Sequence, residues 1–278
     1  MFELNACTME LHRNDLDKVQ KMKFSLPAQQ QETLSGIKAI SVRKLIDEAG
    51  YGFQFGSSFA LNEDGQVYIW GQQYGWENKG IPFPQLVTGL PEIKEISGLY
   101  ALDVDGKVWM LNGIEPPTPI DGLSNVVSIS DTVNDILAAV TLKGQLWLWA
   151  PEVAEYREET LVQVKHASQV KAVYGDVYDI YWIDQDHKVW RAGIEWDAKL
   201  HEPTAVALPE GKKAMRVETT YEDDYLVTTD GNIVPIQQER QPEYEVPEQT
   251  VQIAGTYGMR FYLKSDGTVG GEANSYVL

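Results

Sequence analysis

Apolar and polar positions alternate in short runs along this chain, and six of the runs share one design. An apolar residue is followed by a turn closing on Gly, then a polar residue, an apolar residue and, in most copies, an aromatic. The copies run from Leu61 to Tyr68, Leu102 to Trp109, Val140 to Trp147, Ile183 to Trp190, Val227 to Val234 and Leu263 to Gly270. The last two keep the turn and lose the final aromatic, and the fourth has His187 where the others have Gly. The turn residues 65, 106, 144, 187, 231 and 267 lie 36 to 44 apart, and six residues before them stand Phe59, Tyr100, Ala138, Tyr181, Tyr225 and Phe261. Asp-Gly between alternating apolar residues is a strong hairpin signal, because a two-residue turn needs positive φ at both positions. Each unit is therefore expected to hold two antiparallel strands around a two-residue turn. His187 is expected to carry left-handed strain, which His187→Gly would relieve by a few tenths to about 1 kcal/mol.

A further short strand precedes each hairpin, as in Ile37 to Ser41, Ile93 to Ser97, Val126 to Ser130, Val170 to Val173, Ala214 to Val217 and Val251 to Ala254. After several hairpins comes a Pro and an apolar stop, as in Pro84 to Leu90, Pro119 to Leu123 and Pro203 to Leu208. Proline suits an outer strand with no neighbour needing its N–H. The unit is thus three or four strands in roughly 40 residues, too small to bury its own faces but able to do so in a ring. The pattern predicts an all-β chain, a single β-propeller domain over 1–278, in preference to an open solenoid or a sandwich. Seven blades are favoured on period alone, with six as the alternative. Residues 1–36 are read as a degenerate or closing blade segment, with Leu11 to Asp15 as a worn hairpin.

Composition removes several classes. The chain has 278 residues, 41 acidic against 23 basic, and a net charge of −18. Such a charge argues against nucleic acid and against anionic lipid as partners. One cysteine, Cys7, rules out an internal disulfide framework and a cysteine-rich zinc site. No apolar window reaches the length of a membrane span, and the N-terminus lacks the pattern of a secretory leader. The expectation is a cytoplasmic monomer, with a secreted protein stripped of its leader as the alternative.

The best unit, Phe59-Ala60-Leu61-Asn62-Glu63-Asp64-Gly65-Gln66-Val67-Tyr68-Ile69-Trp70-Gly71, resembles the repeat of the regulator-of-chromosome-condensation family. Later copies diverge: Trp70-Gly71 becomes Leu111-Asn112, Trp149-Ala150 and Ala192-Gly193, and the family's first-loop His is absent throughout. The resemblance covers about residues 24 to 278. It implies a propeller and leaves function open, since propellers of this kind host nucleotide exchange, light sensing and enzyme inhibition. The light-sensing relatives need Trp beside Arg on one face, and a lone Arg191 after Trp190 does not make that cluster.

In a meander, the loops after strands one and three of every blade share one face and the hairpin turns lie on the other. On the loop face the sequence gathers Asp176, Tyr178, Asp179, Tyr221, Glu222, Asp223, Asp224 and Tyr257 from first loops, and Tyr74, Trp76 and Trp196 from second loops. Tyr and Trp dominate interface hot spots, and acids beside them set the charge of the partner. Taken singly, each Tyr could simply pack on its own loop and each acid be solvated. Taken as a set on one face, they predict a partner-binding surface for a protein with a basic patch.

Catalytic chemistry is less visible. Asp103-x-Asp105-Gly106 resembles part of a calcium loop, but it lacks the closing Glu and reads as a hairpin turn. Glu222-Asp223-Asp224 lacks ligand spacing. There is no Gly-x-Ser-x-Gly, no His-Glu-x-x-His and no phosphate-binding glycine loop. Trp70, Trp109, Trp147, Trp149 and Trp190 fall on hairpin strands and read as inter-blade packing. The reading is a non-catalytic protein-binding propeller, an inhibitor or scaffold, with no cofactor and no metal. The alternative is an enzyme or carbohydrate binder with its site in the central funnel.

Overall fold

A computed structural model describes residues 34, 36–43, 45–46, 53–54, 57–71, 81–113, 115–132, 135–151, 159–176, 178–195, 197–220, 223–236, 246–256, 259–266 and 269–273. Its elements are all strands. The first sheet is Ile37–Val42, Ser57–Asn62, Val67–Gly71 and Ile81–Leu86, with a small hairpin, Leu45–Ile46 and Phe53–Gln54, inserted after its inner strand. The second is Ile93–Ser97, Tyr100–Asp103, Val108–Met110 and Thr118–Pro119, and the third is Val126–Asp131, Leu137–Thr141, Leu146–Ala150 and Thr160–Gln163. The fourth is Val170–Gly175, Asp179–Asp184, Val189–Gly193 and Thr204–Val206. Two three-stranded sheets follow, Ala214–Thr219, Asp224–Thr228 and Ile233–Pro235, then Thr250–Thr256, Met259–Lys264 and Val269–Ala273. All are antiparallel meanders.

The inner strands of these six sheets touch in cyclic order, and that of the sixth returns to that of the first. The chain is therefore an all-β propeller, as the repeats predict. The Gln252 side chain closes the circle: its Oε1 accepts from Ile40 N–H at 3.1 Å, and its Nε2 donates to the Ile40 carbonyl at 3.2 Å. Six sheets are described in this circle. A seventh blade was expected in residues 1–36, of which only 34 and 36 are described.

Second strands explain the core. Tyr100–Asp103, Leu137–Thr141 and Asp224–Thr228 are buried at every position. Each sheet is sandwiched between two others, so its second strand has no solvent face, and alternation gives way to continuous burial. Phe59, Tyr100 and Tyr181 are fully buried, and the Tyr100 ring meets Trp149 of the third sheet edge-on, with centroids 6.1 Å apart. Trp109 and Trp190 are only half-buried. Their indole N–H groups donate to Asp103 Oδ2 and Asp184 Oδ2, at 2.9 and 3.0 Å, and so brace the turn of their own blade.

The hairpins differ from the expected two-residue turns. Leu61 pairs with Val67, the Asn62 N–H donates to the Gln66 carbonyl, and Gly65 N–H donates back to the Asn62 carbonyl. This is a three-residue loop, a turn followed by one left-handed residue. Only Gly65 has positive φ, at 76°, and Asp64 does not join it. The Asp or Asn that matters is the residue opening the loop: Asn62, Asp103 and Asp184 each accept a backbone N–H four residues on through Oδ1. That role accounts for Asp103, which the calcium-like spacing had singled out.

Glycine at the turn answers a second demand. Gly144 carbonyl accepts Val170 N–H of the next sheet at 3.0 Å, and a Cβ on Gly144 would stand 3.0 Å from the Gln169 Cα. His187 has φ 64°, as expected for a residue in a glycine place, and its Nδ1 lies 3.0 Å from the Ala214 carbonyl of the next sheet. The ring therefore returns part of what the backbone strain costs. His187→Gly should consequently stay within about 0.5 kcal/mol of the parent, because strain relief and the lost contact offset each other. His187→Ala keeps the strain and loses the contact, and should cost about 1 kcal/mol in urea unfolding. Equal stability of the two variants would mean that the left-handed backbone costs nothing, and a His187→Ala protein as stable as the parent would mean that the Ala214 contact contributes nothing.

Candidate functional site

Two regions have the chemistry of a site: the loop end of the ring and its central channel. At the loop end, the first loops close on their own backbones. Asp176 N–H donates to the Asp179 carbonyl at 2.8 Å and Thr220 N–H to the Asp223 carbonyl at 3.1 Å. The recurrent tyrosines join one loop to the next. Tyr100 hydroxyl donates to the Asp135 carbonyl at 2.5 Å, and Tyr181 hydroxyl to Asp224 Oδ2 at 2.7 Å. Burial and the Asp224 charge push the Tyr181 hydroxyl far above its ordinary pKa, so it is a permanent donor.

The residues expected at the surface divide accordingly. Tyr178 is 61% exposed. Asp223 is half-buried and accepts Tyr225 hydroxyl at 3.4 Å. Asp176 and Asp224 are buried, at 8% and 7% exposure. Asp179 is held by Arg191 at 2.6 Å, and the Arg191 guanidinium in turn lies over the Tyr181 ring at 5.9 Å. The structure thus brings Asp179, Arg191, Tyr181 and Asp224 into one network across the fourth and fifth sheets. Tyr221, Glu222, Tyr257, Tyr74, Trp76 and Trp196 lie outside the described residues.

Sequence reasoning passed over another pair at this end. Arg43 donates through Nε and Nη2 to the two oxygens of Asp135, at 3.0 and 2.6 Å. The pair joins the first sheet to the third, over the tight Gly98-Leu99 turn of the second. A bidentate fork of this kind is strong because both bonds are charge-assisted. The signal was faint: Asp135 has φ 57°, but a left-handed Asp in a loop is not marked in the sequence.

The channel is the central funnel of the alternative reading, for which the sequence named no residues. Its volume is about 420 Å³, and all six inner strands line it. Glu95 sits in the wall with Ile129 N–H donating to Oε1 at 3.1 Å. Burial pushes its carboxyl up to about 7, against smaller opposing effects from that N–H, Lys94 and Ser128. Glu218 is likewise raised to about 7 by burial, despite its ion pair with Arg216 and the Ile253 N–H. Tyr174 lies within the field of both carboxyls, and burial drives its hydroxyl well above the ordinary range. The usable signal was charge set between apolar residues on an inner strand, as in Ile93-Lys94-Glu95-Ile96. No cluster of potential metal ligands occurs among the described residues.

The ring and its two ends define a β-propeller. The chain is similar in fold to yeast RCC1 (Prp20), solved bound to Kap60, with 12% identity, a TM-score of 0.55, and 84% of this chain covering 69% of that one. It is similar to Prp20p from Saccharomyces cerevisiae, described for its binding to Gsp1p and histones, at 15% identity and a TM-score of 0.52 over 78% of this chain and 67% of that one. Human WBSCR16 follows at 13% identity and a TM-score of 0.50, over 71% of this chain and 59% of that one. These likenesses bear out the regulator-of-chromosome-condensation type of propeller as the fold. No family model and no curated protein matches the sequence. No helix among the described residues is long and apolar enough to cross a membrane.

The raised carboxyls predict how stability varies with pH. Glu95 and Glu218 titrate near 7 in the folded chain and near 4.5 when unfolded. The folded state therefore holds protons that the unfolded state has released between those values. The stabilisation is complete below about 4.5 and is lost as pH rises through 7. Glu95→Gln keeps the acceptor for Ile129 and removes the titration. Between about pH 5 and about pH 8 it should lose less stability than the parent in urea unfolding. Parallel curves for the two proteins would show that Glu95 ionises normally.

Proposed function

We propose that this chain is a non-catalytic protein-binding propeller whose loop end receives a partner with a basic patch. The observation that carries the reading is the segregation of lysines, since acids occur at both ends. Every described lysine except Lys199 lies at the hairpin end, on turns, inter-sheet connections or strand ends there. The loop end holds Asp131, Asp135, Asp176, Asp179, Asp223 and Asp224, and the two arginines there whose side chains are described, Arg43 and Arg191, are paired with carboxylates. A face of one sign attracts its opposite, raising encounter rate and rejecting partners of like charge. The RCC1 structures to which the chain is similar are described with protein partners, which is consistent with this use of the fold. A single domain over 1–278, acting as a monomer, is part of the same proposal.

Within the surface, the roles follow burial. Tyr178 is the exposed anchor. Asp223 and Glu222 supply charge, and Tyr221, Tyr257, Tyr74, Trp76 and Trp196 are assigned to the same surface as further aromatic anchors. Asp176, Asp179 and Asp224 support the loops and add to the field without direct contact. The test uses a partner identified by cross-linking with mass spectrometry, followed by kinetics on immobilised wild-type chain. Tyr178→Ala should speed dissociation, costing about 1–3 kcal/mol. Glu222→Lys with Asp223→Lys should slow association at low salt and have little effect at high salt, where screening shortens the reach of charge. If these variants bind as wild type while Leu142→Asp, on a hairpin turn, abolishes binding, the partner docks on the opposite end.

A further inference from the structure

Two side chains in the channel wall do not take a backbone N–H of the following sheet. At one inner-strand position, Glu95, Ser128 and Gln252 each take a backbone N–H of the following sheet. Arg216 stands at that position and cannot accept. At the position two residues on, Ser41, Ser97 and Ser130 do the same work. Tyr174 stands there and does not. Among the described residues its hydroxyl makes no hydrogen bond, although burial keeps it protonated and able to donate. Arg216 commits Nε to Glu218, and its two Nη groups make no other hydrogen bond among the described residues. Both residues line the channel. A hydroxyl donor and the open side of a guanidinium thus belong to the wall of one channel, within each other's electrostatic field.

We propose that the channel binds a small organic monocarboxylate, seated on the Arg216 Nη groups and the Tyr174 hydroxyl. A guanidinium edge matches a carboxylate in plane and in sign, and its bonds are charge-assisted. The net charge of the wall selects the ligand's valence. Lys38, Lys94 and Arg216 face Glu95, Asp131 and Glu218. Burial raises both glutamates toward the protonated form, which leaves the wall short of negative charge. One carboxylate fills that deficit, whereas a dianion would bring its second charge against Glu218. A volume of about 420 Å³ lies within the range of small-ligand pockets. This site is separate from the loop-end surface, and a result at one leaves the other untouched.

The experiment uses the full chain, with thermal unfolding and titration calorimetry at constant ionic strength. The probes are sodium propionate and sodium benzoate, with sodium phosphate and glucose for comparison. Either carboxylate should raise the melting temperature and bind at one site, and phosphate and glucose should do neither. Tyr174→Phe, which removes only the hydroxyl, should weaken binding about threefold to tenfold. Arg216→Gln alone would strand buried Glu218, so Arg216→Gln with Glu218→Gln removes the pair together, and it should weaken binding at least tenfold. The proposal is overturned if neither carboxylate binds. It is also overturned if both variants bind as the parent does, or if phosphate or glucose binds as well as the carboxylates.

Discussion

An inner strand in this ring has one side without a strand partner, and its N–H groups would otherwise be stranded at the channel wall. The molecule depends on how those donors are met. Side chains of one sheet reach the backbone of the next: Ser41 takes Gly98, Glu95 takes Ile129, Ser97 takes Asp131, Ser130 takes Gly175 and Gln252 takes Ile40. Buried backbone donors are costly when unmet, so these bonds fix the order and separation of the sheets. Between the fourth and fifth sheets the polarity reverses, and Thr219 hydroxyl donates to the Gly175 carbonyl at 2.5 Å. The reversal falls where Tyr174 replaces the serine. The same requirement explains close approach at the loop end, where a Cβ on Gly175 would lie 2.0 Å from the Asp131 carbonyl oxygen.

A second set of ties acts at the hairpin end. The carbonyls of Gly65, Gly106 and Gly144 each accept the first N–H of the next inner strand, at 3.0 Å in every case. Turn geometry and sheet-to-sheet spacing thus converge on one residue. Glycine serves because it adopts positive φ and leaves room for the neighbouring backbone. Gly231 shares the conformation, but a Cβ there would meet nothing within 4 Å, so at that turn only φ requires it.

Charge follows the same geometry. The strands of a blade all run between the two ends, so residues at turns and strand starts are delivered to one end and first loops to the other. The described lysines, Lys199 apart, are thereby delivered to the hairpin end, where acids such as Asp64, Asp105, Asp186 and Asp230 stand among them. Between the two ends, the channel collects groups of both signs from strands that are distant in the chain. Its glutamates hold their protons near neutrality because burial outweighs the ion pair and the backbone donors around them.

The repeat, the hairpins, the residue six before each turn (aromatic in five of the six units) and the left-handed His187 were legible in the amino-acid order. Each depends on residues within one blade, where spacing along the chain is spacing in the structure. The turn length was not legible, since Asp-Gly serves a two-residue turn or the end of a three-residue one. The acids of the loop end read alike in sequence and differ in the structure: Asp224 is buried on Tyr181, Asp179 is paired with Arg191, and Asp223 stays half-buried. The convergence of Glu95, Tyr174, Arg216 and Glu218 on one channel was equally hidden. Local order determined the blade. Burial and charge pairing were decided only by the closed ring, because both depend on neighbours that lie a whole repeat or more away.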